Sequence, residues 1–173
     1  LGRLFLKGGD VPKNVPYALY WLEAAVKQEN PQAEYLLGKT LLKGEDVERN
    51  LPRAVGLLRR SIAQGNGCAM YTLGQALLEG LLPPDIPEAL RLLTASADSG
   101  FAPAQYLLGK LLYKGEAIPQ DLNKAIAWLE SAAAQQNPYA AYLAGKIRLT
   151  EDAVKDIPRA IRNFESAAEN GND

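Results

Sequence analysis

Ala104-Gln105-Tyr106-Leu107-Leu108-Gly109-Lys110-Leu111-Leu112-Tyr113-Lys114-Gly115, followed by Asp121, Ala125, Trp128 and Ala132-Ala133, is the stretch whose reading decides the fold. Ala104, Leu108 and Leu112 recur every four residues, which places them on one stripe of a helix. Gly115 suits the left-handed backbone that commonly ends a helix. Asp121 then offers a short acceptor side chain that can cap the free N–H groups of a second helix. The stretch therefore reads as helix, turn, helix.

Working outward, the same pattern recurs along the whole chain. Gly2, Gly38, Gly74, Gly109 and Gly145 form one ladder at intervals of 35 or 36 residues, and Ala18, Ala54, Ala89, Ala125 and Ala160 form a second in step with it. The stripe of Ala104 repeats at Ala33, Leu37 and Leu41 and again at Ala69, Leu73 and Leu77. Gly8, Gly44 and Gly80 match Gly115, whereas the fifth unit has Glu151 there and should turn differently. Asn14, Asn50, Asp85, Asp121 and Asp156 open the second helices, with Pro16, Pro52, Pro87 and Pro158 in the first turn, where a missing N–H costs little. Those helices should close near Gly65, Gly100 and Gly171, with Asn30 and Asn137 as substitutes in the other units. Since one helix pair cannot bury both faces, five stacked pairs sharing a continuous core are expected. The expected fold is all-α, a right-handed superhelix or solenoid of about five helix-turn-helix repeats. It forms a single repeat domain over 1–173, with units 1–30 (partial), 31–66, 67–101, 102–137 and 138–173. In this reading the glycine and alanine ladders are packing devices, not phosphate cradles.

Composition narrows the function. The 173 residues are 47% hydrophobic and 23% charged, as in a folded chain. A net charge of -1 gives no overall electrostatic case for nucleic acid or an anionic membrane. There is no histidine and one cysteine, Cys68, which removes the commonest general base, most zinc sites and the usual nucleophilic triads. Neither cofactor nor metal is expected, and no catalytic residue can be named. No apolar run reaches the length of a membrane span, and the chain does not open on a basic segment followed by an apolar run, as a signal peptide would. The compartment is left open, with the cytoplasm favoured over secretion or the periplasm.

The residues of 104–133 resemble the Sel-one-like repeat, a variant of the tetratricopeptide repeat with a longer turn, and the resemblance covers essentially the whole chain. Unit one begins inside its first helix, and unit five departs at Ala144, Glu151 and Asn163. The resemblance implies a bacterial adaptor whose first helices line a concave surface for a protein or peptide. Some relatives are secreted, carry two cysteines per repeat and have suggested antibiotic-binding or hydrolytic activity; one cysteine in five repeats places this chain outside that branch. Other relatives occur beside plasmid-mobilisation proteins.

A candidate binding face follows from helix geometry. Positions three before, one after and five after the ladder glycine lie about half a turn from the apolar stripe. Three before stand Tyr35, Tyr71, Tyr106 and Tyr142; one after stand Arg3, Lys39, Gln75, Lys110 and Lys146; five after stand Lys7, Lys43, Glu79, Lys114 and Thr150. The last two sets hold seven bases and one acid, a charge of +6, so the remainder of the chain carries -7. A tyrosine-floored, lysine-walled groove would take an acidic peptide segment or a C-terminal carboxylate. The bland reading stays open beside it: the tyrosines pack between units and the lysines are solvated. Nucleic-acid binding through the same groove is the alternative, disfavoured by overall acidity and by the single arginine, Arg3.

Other residues carry less. Trp21 and Trp128 read as core, Cys68 as an inert small residue near a helix start, and Glu45, Asp46 and Glu48 as solvated turn charge. At the ends, Asn163 stands where other units have Trp21, Leu57, Leu92 and Trp128. With Arg159, Arg162, Glu165 and Glu169 around it, it reads as the polar outer face of a terminal repeat. Asp173 is accordingly expected near the true end of the array, with native sequence continuing before Leu1.

Overall fold

A computed structural model describes residues 1–8 and 11–171. Among them are ten α-helices, one 3-10 turn and no strand. Contacts divide the chain into two compact units, Leu1–Ala89 and Leu90–Asp173.

The first unit contains α1 (Gly2–Lys7), α2 (Val15–Val26), α3 (Pro31–Lys43), α4 (Leu51–Ala63), α5 (Gly67–Leu78) and the first turn of α6 (Ile86–Asp98). Within it α1 packs on α2 and α3 on α4, while α3 also touches α5. The second unit holds the rest of α6 together with α7 (Ala102–Lys114), α8 (Leu122–Ala133), α9 (Pro138–Thr150) and α10 (Ile157–Glu169). Here α7 packs on α8 and α9 on α10, and α7 also meets α9. In both units, then, first helices of successive repeats lie beside one another.

The second helices begin as their sequence dictates. Asn14, Asn50, Asp85, Asp121 and Asp156 each accept a hydrogen bond from the backbone N–H three residues on, at 2.9–3.1 Å. This satisfies donors that a helix start leaves free. At Asp121 the backbone N–H of Lys124 and then its ammonium hold the carboxyl below its ordinary pKa.

Their far ends correct the sequence reading. Positive φ falls at Gly65, Gly100 and Gly171, as expected, but in the other units at Glu29 (56°) and Gln136 (63°). Asn30 and Asn137 come one residue later and cap α3 and α9 through their side chains, accepting from Ala33 and Ala140 N–H at 3.0 Å. An asparagine suits both a left-handed residue and an N-cap, and here the cap wins because the next helix starts at once. The fifth unit does turn differently: Glu151 is extended, and Asp152–Val154 forms the 3-10 turn.

The two ladders meet within four of the repeats. A Cβ placed on Gly109 would lie 2.6 Å from Leu129 Cγ and 3.0 Å from the Ala125 carbonyl oxygen. The same contacts recur at Gly2 with Leu22 and Ala18, at Gly38 with Leu58 and Ala54, and at Gly145 with Phe164 and Ala160. The stripe residues Ala33, Leu37, Leu41, Ala69, Leu73, Leu77, Ala104 and Leu108 are buried, and each enclosed leucine contributes about 1.5–3 kcal/mol. Leu112 is only part-buried. Trp21 and Trp128 are part-buried too; Trp21 meets Tyr17 and Tyr20 edge-to-face.

Polar groups also lie inside these layers: Gln105 accepts from Gln135 at 2.9 Å, at the position that Glu34 holds in the second repeat. Glu34 is fully buried, 2.6 Å from Arg60 Nη2, and accepts from Gln64 at 2.9 Å. Arg148 is buried between Glu130 (2.8 Å) and Asn163 Oδ1 (3.0 Å). Asn163 is thus part-buried and holds Arg148, while Arg159, Arg162, Glu165 and Glu169 around it are exposed. On α10 Ile157 and Ile161 are 50% and 52% exposed, so the exposed residues of that helix mix apolar with charged side chains. Asp173 lies outside the described residues. The acidic turn is paired in part, Glu45 with Lys43 and Asp46 with Lys13.

Gly109→Ala tests the close approach. Leu129 is fully buried and has nowhere to retreat, so overpacking should exceed the gain in helix propensity and leave the protein about 1–2 kcal/mol less stable in denaturant unfolding.

Candidate functional site

The rotation of α1, α3, α7 and α9 is set by the glycine edge against the second helix, and this turns the candidate positions away from the stripe. In the second unit they converge. Tyr106, Lys110 and Lys114 of α7 and Tyr142 and Lys146 of α9 line one open cleft of about 500 Å³. Tyr113, Tyr139 and Leu143 complete its wall. Tyr139 and Tyr142 are 62% and 47% exposed, far more than a purely packing role requires.

Charge is distributed unevenly among the cleft lysines. Lys114 Nζ lies 3.4 Å from Glu116, so part of its field is already answered. Lys110 and Lys146 are exposed and their ammonium groups make no ion pair or hydrogen bond among the described residues. The Tyr113 hydroxyl is 3.5 Å from Glu151 Oε1 at the cleft's edge.

In the first unit, Lys39 and Lys43 of α3 line a smaller cleft, about 250 Å³, with Arg3, Leu6 and Lys7 of α1. Glu45 and Asp46 close its rim, and Lys43 pairs with Glu45 at 3.3 Å. Tyr35 and Tyr71 line neither cleft. Lys39 Nζ sits 3.4 Å from the Tyr35 hydroxyl and 5.7 Å from its ring centroid, which ties both side chains together. Tyr71 is part-buried on α5; burial pushes its hydroxyl pKa up, and the nearby charges of Glu79 and Tyr35 add to the shift. Glu79 accepts from Gln75 at 2.7 Å, so the two residues that interrupt the basic ladder bond to each other.

The structure thus gathers Tyr106, Tyr142, Lys110, Lys114 and Lys146 in one cleft and Lys39 and Lys43 in another. Sequence reasoning missed Tyr113 and Tyr139. Both occupy positions where the other units carry different residue types, so no ladder marks them; only the neighbouring tyrosines of the same units could have drawn attention there. No group of three or more histidine, cysteine, aspartate or glutamate residues is arranged to hold a metal ion among the described residues. No helix among them is long and apolar enough to cross a membrane.

Paired helices at this period, bearing an exposed polar and aromatic face, define an all-α repeat protein of the solenoid class. The chain belongs to the Sel1 repeat family, whose repeats match at residues 1–30, 31–66, 69–101, 102–137 and 138–172. Proteins of this family are in general non-catalytic protein-interaction scaffolds. Among solved structures the chain is similar to a Sel1 repeat protein from Oxalobacter formigenes, with 26% identity over 99% of this chain and 69% of that one and a TM-score of 0.82. It is also similar in fold to an immunity protein from Pseudomonas aeruginosa, with 21% identity, 99% and 65% of the two chains covered and a TM-score of 0.68. A Sel1-type protein from Klebsiella pneumoniae shares 22% identity over 99% and 84% of the chains, with a TM-score of 0.63. A bacterial source fits these relatives. No curated protein matches the chain.

The Tyr71 environment gives a pH signature. Its phenol should ionise above the ordinary value of 10.0, so between the unfolded and folded pKa the unfolded state loses its proton first and stability falls as pH rises. The alkaline absorbance titration of Tyr71→Phe should lack a late-ionising phenol present in the wild type; loss of an ordinary one near pH 10 would place Tyr71 in open solvent.

Proposed function

We propose that the chain is a non-enzymatic scaffold that holds an acidic peptide or protein segment against the lysine- and tyrosine-bearing faces of its first helices. The observation that carries this reading is the pair of unanswered ammonium groups, Lys110 and Lys146, beside four tyrosines in one cleft. Desolvating a lysine is costly unless an anion meets it, while tyrosine offers a large contact area at low entropic cost and keeps a polar tip. An acidic segment meets both demands. The absence of histidine and the single cysteine remove the commonest general base and the usual nucleophilic triads, and no catalytic role is assigned. An oligonucleotide could also stack on tyrosines, but the chain's excess of acids outside the ladders opposes a polyanion more than a short acidic segment.

Calorimetric titration with a capped oligo-glutamate peptide tests this. Binding should weaken as salt rises, because exposed charges are screened over about 10 Å at 0.1 M. Replacing Lys110 and Lys146 together by alanine should cost about three- to tenfold in affinity, with melting temperature unchanged. Unaltered affinity in that variant would remove the cleft from the binding surface.

A further inference from the structure

We infer that the α7–α9 cleft selects a polyproline-II segment carrying two acidic residues three apart, with proline between them. This rests on the scaffold reading above and specifies its ligand. The first constraint is the spacing of the cations. Lys110 and Lys146 occupy the same position after the ladder glycine on two helices that pack beside each other. Adjacent helix axes lie roughly 8–10 Å apart, so the two side chains spring from points about that far apart and, extended in parallel, present their charges at that spacing.

That distance discriminates between backbone conformations. A polyproline-II helix has three residues per turn and rises about 3.1 Å per residue, so residues i and i+3 share a face about 9 Å apart. Same-face residues of a β-strand, two apart, are about 6.6 Å apart, short of the span. On an α-helix, i and i+4 are only about 5–6 Å apart, and the longer i to i+7 spacing requires two turns of a rod about 10–12 Å across. Binding such a rod orders at least eight residues to present two charges, whereas a polyproline-II segment brackets the same span with four residues that are already extended.

The second constraint is the wall between the cations. Tyr106 and Tyr113 of α7 and Tyr139 and Tyr142 of α9 give the cleft an aromatic lining on both sides. Proline rings pack on aromatic faces, and a polyproline-II segment is already extended, so it loses little conformational entropy when it docks. The lysines then read charge at the two ends while the tyrosines read proline in the middle. The cleft in the first unit lacks this combination, since no aromatic residue lines it.

The test compares two capped peptides of identical composition, acetyl-Ala-Glu-Pro-Pro-Glu-Ala-amide and acetyl-Ala-Glu-Glu-Pro-Pro-Ala-amide, titrated into the intact chain and followed by NMR. The first should bind about fivefold more tightly, and the preference should vanish when Lys110 and Lys146 are both changed to alanine. Equal affinities for the two orders, with both weakened by the lysine changes, would overturn the spacing rule while leaving an acidic-segment scaffold intact. If neither peptide nor oligo-glutamate binds, or if a short oligothymidylate outcompetes all of them at the same lysines, the underlying scaffold reading fails and the motif with it.

Discussion

The close approach of a glycine to the backbone of its partner helix is the contact on which the rest of this architecture depends. At Gly109 there is no room for a Cβ between Leu129 and the Ala125 carbonyl, and the same arrangement recurs at Gly2, Gly38 and Gly145. Because the glycine edge is pinned, each of these first helices loses its freedom to rotate about its own axis. One side then has to enter the core, which is why Leu37 and Leu108 are almost fully buried. The other side carries Lys39 or Lys110. A packing constraint in the core therefore fixes where charge appears on the surface.

This division explains what the sequence made legible. Repeated features, such as the asparagine and aspartate caps of five units or the glycine-alanine contact of four, could be read because several examples separate a rule from an accident. Helix ends were less secure, since asparagine serves equally as a left-handed residue and as an N-cap; Asn30 and Asn137 took the second role and left positive φ to Glu29 and Gln136. Features that occur once were invisible. The ion pairs Glu34–Arg60 and Arg148–Glu130, each with one buried partner, occur once, and Asn163 proved to be a partner of Arg148. The candidate site divides along the same line: Lys110 and Lys146 follow the ladder, whereas Tyr113 and Tyr139 do not.

Non-repeated residues also give the candidate faces their individuality. The family fold supplies the same helix pair in every unit, yet the cleft on α7 and α9 is tyrosine-lined, that on α1 and α3 is not, and Gln75 and Glu79 bond to each other where a basic pair would continue the ladder. A scaffold built this way can change what it holds by substituting exposed positions while the buried glycine, alanine and leucine ladders stay constant. In the second unit Lys114 and Glu116 are already paired, which concentrates the unanswered charge on Lys110 and Lys146.

The central claim is that the face opposite the buried stripe is the one that meets a partner. The most direct measurement is a backbone-resolved NMR titration of the intact chain with an acidic peptide. The account predicts that amide shifts cluster in α7 and α9 around Lys110, Tyr142 and Lys146 and spare α8 and α10. Shifts confined to the second helices, around residues such as Lys124 and Arg159, would contradict it.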